Sequence, residues 1–127
     1  MSQANVEIVR RAYQAFVRGD LEAAAAVLDS DVKYDWIDPG PQDCHNAEEV
    51  MQLAQARMVE GFVGELREII DAGDNVVIVV ENPDPQRYGA APGETAATTV
   101  LTLREGRIVA MQDYRSRADA LTAVGLT

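Results

Sequence analysis

The chain has 127 residues, 47% of them hydrophobic and 25% charged, with a formal net charge of -10. This is the size and balance of one globular domain, residues 1–127, with a single core rather than a disordered segment. The acidic surplus excludes nucleic acid and anionic membrane surfaces as expected partners, since both require an excess of lysine and arginine.

A lone cysteine, Cys44, cannot form an internal disulfide, and no cysteine–histidine cluster has zinc spacing, so neither a metal nor another cofactor is expected. The start, MSQANVEIVRR, lacks the continuous apolar segment of a signal peptide. The longest aliphatic run, Val76–Val80, is too short for a bilayer, and a cytoplasmic location is the expectation.

Asn5 is placed to cap a first helix, whose apolar stripe is Val6, Val9, Tyr13 and Phe16, widened by Ala12 and Val17. Gly19 stops it, and Asp20 caps a second helix over LEAAAAVL. Val32–Ile37 alternates as a strand, with Val32, Tyr34 and Trp36 on one side, until Asp38-Pro39-Gly40-Pro41 breaks it. Asn46 with Glu49 resembles a capping box opening a third helix, in which Val50, Leu53, Ala54, Arg57, Met58 and Gly61 share a face.

Val63–Asp71 reads as a strand with Leu66, Glu68 and Ile70 opposed to Glu65, Arg67 and Ile69. Ala72-Gly73-Asp74-Asn75 turns the chain into Val76–Val80, apolar on both faces as in a central strand, and residues 82–94 form a loop. Thr95–Ser116 is a long hairpin turning at Glu105-Gly106. On its return strand Val109, Met111, Asp113 and Arg115 share one face, and Ile108, Ala110, Gln112 and Tyr114 the other. Ser116 with Asp119 caps a short last helix that Gly125 closes. The order predicts an α+β fold, a curved antiparallel sheet with three helices laid across it around a cone-shaped cavity.

That order, with IVRRAYQAFVRGDLEAAAAVLDSDVKYDW near the start and LREGRIVAMQDYRSRADAL near the end, resembles the SnoaL-like proteins of the ketosteroid isomerase and nuclear transport factor two-like superfamily. The resemblance spans nearly the whole chain and implies a cystatin-like cone. It leaves function open, because relatives include isomerases, polyketide cyclases, dehydratases, epoxide hydrolases and binding domains. The residues of ketosteroid isomerases fall on Ala12, Trp36 and roughly Thr99, which disfavours that reaction. Against limonene epoxide hydrolases Tyr34 and Asp113 match, but the asparagine position is Trp36 and the Arg-x-Asp position is Glu81 and Pro83.

Asp113, beyond an apolar strand floor, is the leading candidate for a general base; its alternative is a rim carboxylate paired with Arg115, Arg117 or Arg57. Tyr34 and His45 are candidates to hold an oxyanion or water, Tyr34 alternatively making one structural hydrogen bond and His45 a helix-start contact. Tyr13, Phe16, Trp36, Met58 and Met111 are expected to line the cavity, with Arg57 and Arg115 at its edge and Glu81 as a second carboxylate. The expected ligand is a small apolar molecule. Proton-transfer enzyme, ligand-binding module and interaction domain all remain open. A homodimer is expected through the sheet face carrying Ile108, Ala110, Gln112 and Tyr114.

Overall fold

A computed structural model describes residues 2–36, 43–60, 64–81 and 96–126. In chain order they form α1 (Ser2–Val17), α2 (Leu21–Ala25), β1 (Leu28–Asp35), α3 (Ala47–Glu60), β2 (Glu65–Ala72), β3 (Asn75–Glu81), β4 (Ala96–Arg104), β5 (Arg107–Tyr114) and α4 (Arg117–Ala123). The predicted break at Asp38–Pro41 and the loop 82–94 lie outside the described residues, as do Ile37, Gly61, Val63 and Thr95.

The fold class is the α+β arrangement expected, with the sheet ordered β1-β5-β4-β3-β2. It is mixed and open rather than wholly antiparallel, because β1 enters at the far edge and runs parallel to β5. One face of the sheet carries α1 over β2 and β3, and α3 over β1. Val9, Leu28, Val32, Val50, Val76, Ile78, Leu101, Leu103 and Ile108 are buried there as the main core. The opposite face is covered in part by α4, whose Ala120 and Leu121 pack on Val77 and Val100.

Several local expectations change. Asn5 lies inside α1 rather than capping it, and its side-chain amide donates to the Gly73 carbonyl at 3.1 Å, tying α1 to the β2–β3 turn. Val17 is 49% exposed and does not widen the buried stripe. Helix α2 ends at Ala25, because Leu28 already pairs with Ile108 and the Val27 carbonyl accepts from the Ile108 N–H. Sheet pairing here overrides the helix propensity of the alanines.

The larger correction concerns strand faces. On β5 the register passes from Thr102 opposite Ala110 to Leu103 opposite Ile108, so Val109 is an extra, unpaired residue. A bulge of this kind shifts the alternation by one. Ile108 therefore lies in the core with Met111, not on the outer face with Ala110, Gln112 and Tyr114. A second shift, between Leu66 and Glu68, puts Leu66 with Ile69 toward the core and leaves Glu68 opposite, on the side of α4. Glu105 (φ +51°) and Gly106 (φ +77°) close the β4–β5 hairpin, as a tight two-residue turn requires.

Gly64, at the entry to β2, is the tightest backbone approach. A Cβ there would lie 2.3 Å from Val80 Cγ1 and 2.7 Å from the Glu81 carbonyl oxygen. The second contact is with backbone, which cannot rotate away. Gly64→Ala is expected to destabilise the fold by about 1–3 kcal/mol, by analogy with overpacked cores. Urea unfolding at neutral pH measures this, and a midpoint unchanged from the parent would contradict it.

Candidate functional site

Parallel pairing sets Tyr34 of β1 opposite Met111 of β5, and hairpin pairing sets Thr99 of β4 opposite Asp113. Because Val109 bulges, Asp113 shares the helix-facing side with Met111, Leu101 and Ile108. Three side chains from three strands meet there. The Tyr34 hydroxyl lies 3.0 Å from both Asp113 carboxyl oxygens, and the Thr99 hydroxyl donates to Oδ1 at 2.7 Å.

Burial raises the Asp113 pKa above the ordinary aspartate value, against the hydroxyls of Thr99 and Tyr34 and the charge of Arg57, which favour the anion. Burial, followed by the neighbouring carboxylate, pushes Tyr34 well above the usual phenol value. Tyr34 therefore keeps its proton near neutrality and serves as a donor. The combination is a carboxylate more basic than usual, oriented by two hydroxyl donors. It is suited to taking up a proton.

Trp36 lies two residues beyond Tyr34, just past the end of β1. Its backbone N–H donates to Asp43 Oδ1 at 3.0 Å, and its carbonyl accepts from Gln112 Nε2 at 3.2 Å. Tyr34 and Cys44 exchange two backbone hydrogen bonds of 2.8 and 3.0 Å, which tie β1 to the segment that leads into α3. The Arg57 guanidinium lies over the Trp36 ring, 4.9 Å from its centroid. Arg57 also acts electrostatically on Tyr34, Asp113 and Cys44.

Other predicted residues stand elsewhere. His45 is exposed, its Nδ1 3.0 Å from Glu49 Oε1, so its contact is at the start of α3 rather than with Asp113. The expected cap is present, with Asn46 Oδ1 accepting from the Glu49 N–H, while the Glu49 carboxylate takes the His45 backbone N–H. Glu81 does not join Asp113: strand alternation sends it to the other face, where it accepts from Arg67 at 2.7 Å. The Tyr13 hydroxyl donates to the Gly64 carbonyl, and its ring meets Phe16 edge-on at 5.9 Å. The Met58 methyl sits beside Gly19, under the α1–α2 connection. Met111 packs against the main core, and Arg115 is exposed beyond the end of β5.

Of the pairings weighed for Asp113, Arg117 is taken by Glu68 at 2.9 Å, and Arg57 acts through its charge. The hydroxyl partners are the finding. Thr99 was hidden as a site residue, since the hairpin counted back from Glu105-Gly106 without a bulge puts Gln112, not Asp113, opposite it. Among the described residues no group of three or more His, Cys, Asp or Glu is placed to share a metal ion. No described helix is long and apolar enough to cross a membrane. On the other sheet face, beside α4, a recess of about 210 Å³ is bordered by Val100, Thr102, Ala110, Gln112, Tyr114 and Val124.

Comparison with known proteins gives one family: the model of the SnoaL-like domain matches residues 9–111. Comparison with curated proteins gives no match. Among solved structures, Bal32a from a soil-derived mobile gene cassette superposes with a TM-score of 0.73 at 20% identity, over 89% of each chain. An NTF2-like protein of unknown function from Mesorhizobium loti gives 0.70 at 23% identity, over 89% of this chain and 91% of its own. A candidate polyketide cyclase from Sinorhizobium meliloti gives 0.66 at 19%, over 85% and 94%. At these identities the likeness carries the fold.

A stability measurement tests the Asp113 environment. With its folded pKa raised, the folded state binds this proton more tightly than the unfolded chain does. Its contribution is fully present below the unfolded aspartate pKa and is lost as pH rises through the higher folded value. Urea melts of the parent and Asp113→Asn across this range are expected to show the parent losing stability relative to the variant as pH rises, then levelling. A parent that gains on the variant with rising pH would contradict the assignment.

Proposed function

The chain belongs to the SnoaL-like domain family, and within it we propose a protein that binds a small, mostly apolar carbonyl compound and moves a proton on it without a cofactor. The observation that carries this reading is Asp113, facing the helices with a raised pKa and held by Tyr34 and Thr99. Thr99 fixes Oδ1, so Oδ2, which shares only the Tyr34 hydroxyl, is the oxygen that accepts a proton from the carbon next to the substrate carbonyl. As that C–H bond breaks, its electron pair moves onto the carbonyl oxygen and the Asp113 charge disappears. The Tyr34 hydroxyl then turns from the neutralised carboxyl to the new oxyanion, and Asp113 returns the proton at a different atom. Isomerisation, cyclisation and dehydration all use this step. Similarity to a candidate polyketide cyclase is in keeping with carbonyl chemistry.

A second reading, a non-catalytic module that carries or senses the same class of molecule, is favoured by one observation. Both Asp113 oxygens already accept hydroxyl hydrogen bonds, which oppose the rise in basicity. A panel of enolisable carbonyl compounds in deuterated water separates the two. The parent is expected to exchange the α-hydrogen of a bound compound, and Asp113→Asn to lose this by at least about 100-fold, the low end for general-base catalysis. Binding without exchange in the parent would leave the carrier reading. An active Asp113→Asn would remove the base assigned here.

The homodimer also stays a proposal, now with altered composition. Its face is formed by Val100, Thr102, Ala110, Gln112 and Tyr114 beside α4, and Ile108 is absent from it. Light scattering at micromolar concentration is expected to give twice the chain mass, and a monomer mass would rule the dimer out.

A further inference from the structure

The ladder between β1 and β5 stops at Asp35, opposite Gln112. One residue later a side chain continues the tie. Gln112 Nε2 donates to the Trp36 carbonyl at 3.2 Å and to the Asp113 carbonyl at 3.1 Å. A side-chain amide nitrogen carries two N–H donors, so one group meets both carbonyls. Because both neighbours are acceptors, they also fix which end of the amide is the nitrogen. Gln112 itself stands on the opposite sheet face, at the recess beside α4. Its reach to the site therefore runs through the main chain, on one side to the segment that carries Tyr34 and on the other to Asp113.

Tyr34 needs such a tie. It belongs to an edge strand, and its own N–H and carbonyl bond to Cys44 rather than to β5. Trp36 is drawn the same way, its N–H donating to Asp43. Yet the Tyr34 hydroxyl must stay 3.0 Å from both Asp113 oxygens, and hydrogen bonds tolerate little drift. A misplacement of about 1 Å can cost a reaction about 100-fold. We propose that Gln112 is a positioning residue for the proton transfer, its amide clamping the Trp36 and Asp113 carbonyls so that the Tyr34 hydroxyl stays on the Asp113 carboxylate. This rests on the reading of Asp113 as the base and adds the residue that keeps base and donor together. Glutamine suits the role because its amide is neutral. A lysine would reach the same carbonyls but would set a cation beside Asp113 and hold it acidic.

The ζ-carbon resonance of Tyr34 reports what its hydroxyl bonds to. The chain has four tyrosines, and Tyr34→Phe identifies the resonance by its loss. Followed through the Asp113 titration with no ligand present, the parent is expected to show an inflection at the Asp113 midpoint, where the partner of the hydroxyl changes from carboxylate to carboxylic acid. Arg57 and Cys44 also act on Tyr34, but an arginine stays charged and the buried Cys44 thiol stays protonated through this range. Gln112→Met, which keeps the side-chain length and removes both donors, is expected to shrink the inflection at least about twofold, as for coupled neighbours. Gln112→Asn, which draws the amide back by one methylene, is expected to do the same and serves should Gln112→Met not fold. An inflection that stays whole while the urea midpoint falls would mean that Gln112 serves the fold alone; the proposal is then overturned with Asp113 as base untouched. A parent with no inflection removes the contact between Tyr34 and Asp113, and the proposal falls together with its premise.

Discussion

One extra residue in β5 decides what this sheet can do. Ile108 must be buried for the core to close against Leu28 and Leu103, and Asp113 must face the same side to meet Tyr34. Strict alternation cannot satisfy both, since positions five apart in a regular strand point to opposite faces. The Val109 bulge reconciles them by moving the parity once, between the hydrophobic end of the strand and its polar end. On the near side of that point Ile108 closes the core, and beyond it Asp113 meets the Tyr34 and Thr99 hydroxyls.

The parallel edge strand supplies the second half of the arrangement. Because β1 runs alongside β5, Tyr34 comes level with Met111, within reach of a carboxylate two residues further along. A buried carboxylate in apolar surroundings is costly unless its lone pairs are met, and here they are met by hydroxyls rather than by a cation. That choice has a chemical consequence. An ion pair would hold Asp113 strongly acidic, whereas Tyr34 and Thr99 orient it while burial still raises its pKa.

Much of this was legible from residues. The 3.6-residue stripes of α1 and α3, the Glu105-Gly106 turn, the Asn46 and Ser116 caps and the inward face of Asp113 all follow from local chemistry. What local chemistry does not encode is long-range pairing. Neither bulge leaves a composition signal in RIVAMQDY or ELREIIDA, so Ile108 and Leu66 could be assigned only once their partner strands were known. Thr99 was hidden by the same one-residue shift. Asn5 looked like a cap because asparagine favours caps, and only the position of Gly73 shows why it serves inside the helix. The position of Glu81 at a strand end suggests a place beside Asp113, yet alternation gives it to Arg67 on the opposite face.

Asp113 is an inward, partly desolvated carboxyl held by Tyr34 and Thr99. A carbon-detected NMR titration of the Asp113 side-chain carboxyl, in the parent and in Tyr34→Phe, tests this directly. The expected midpoint lies above the ordinary aspartate value in the parent and higher still in Tyr34→Phe, where a donor to the anion is lost. An ordinary midpoint that the tyrosine substitution leaves unmoved would place the carboxylate in solvent, without the hydroxyl contacts described here.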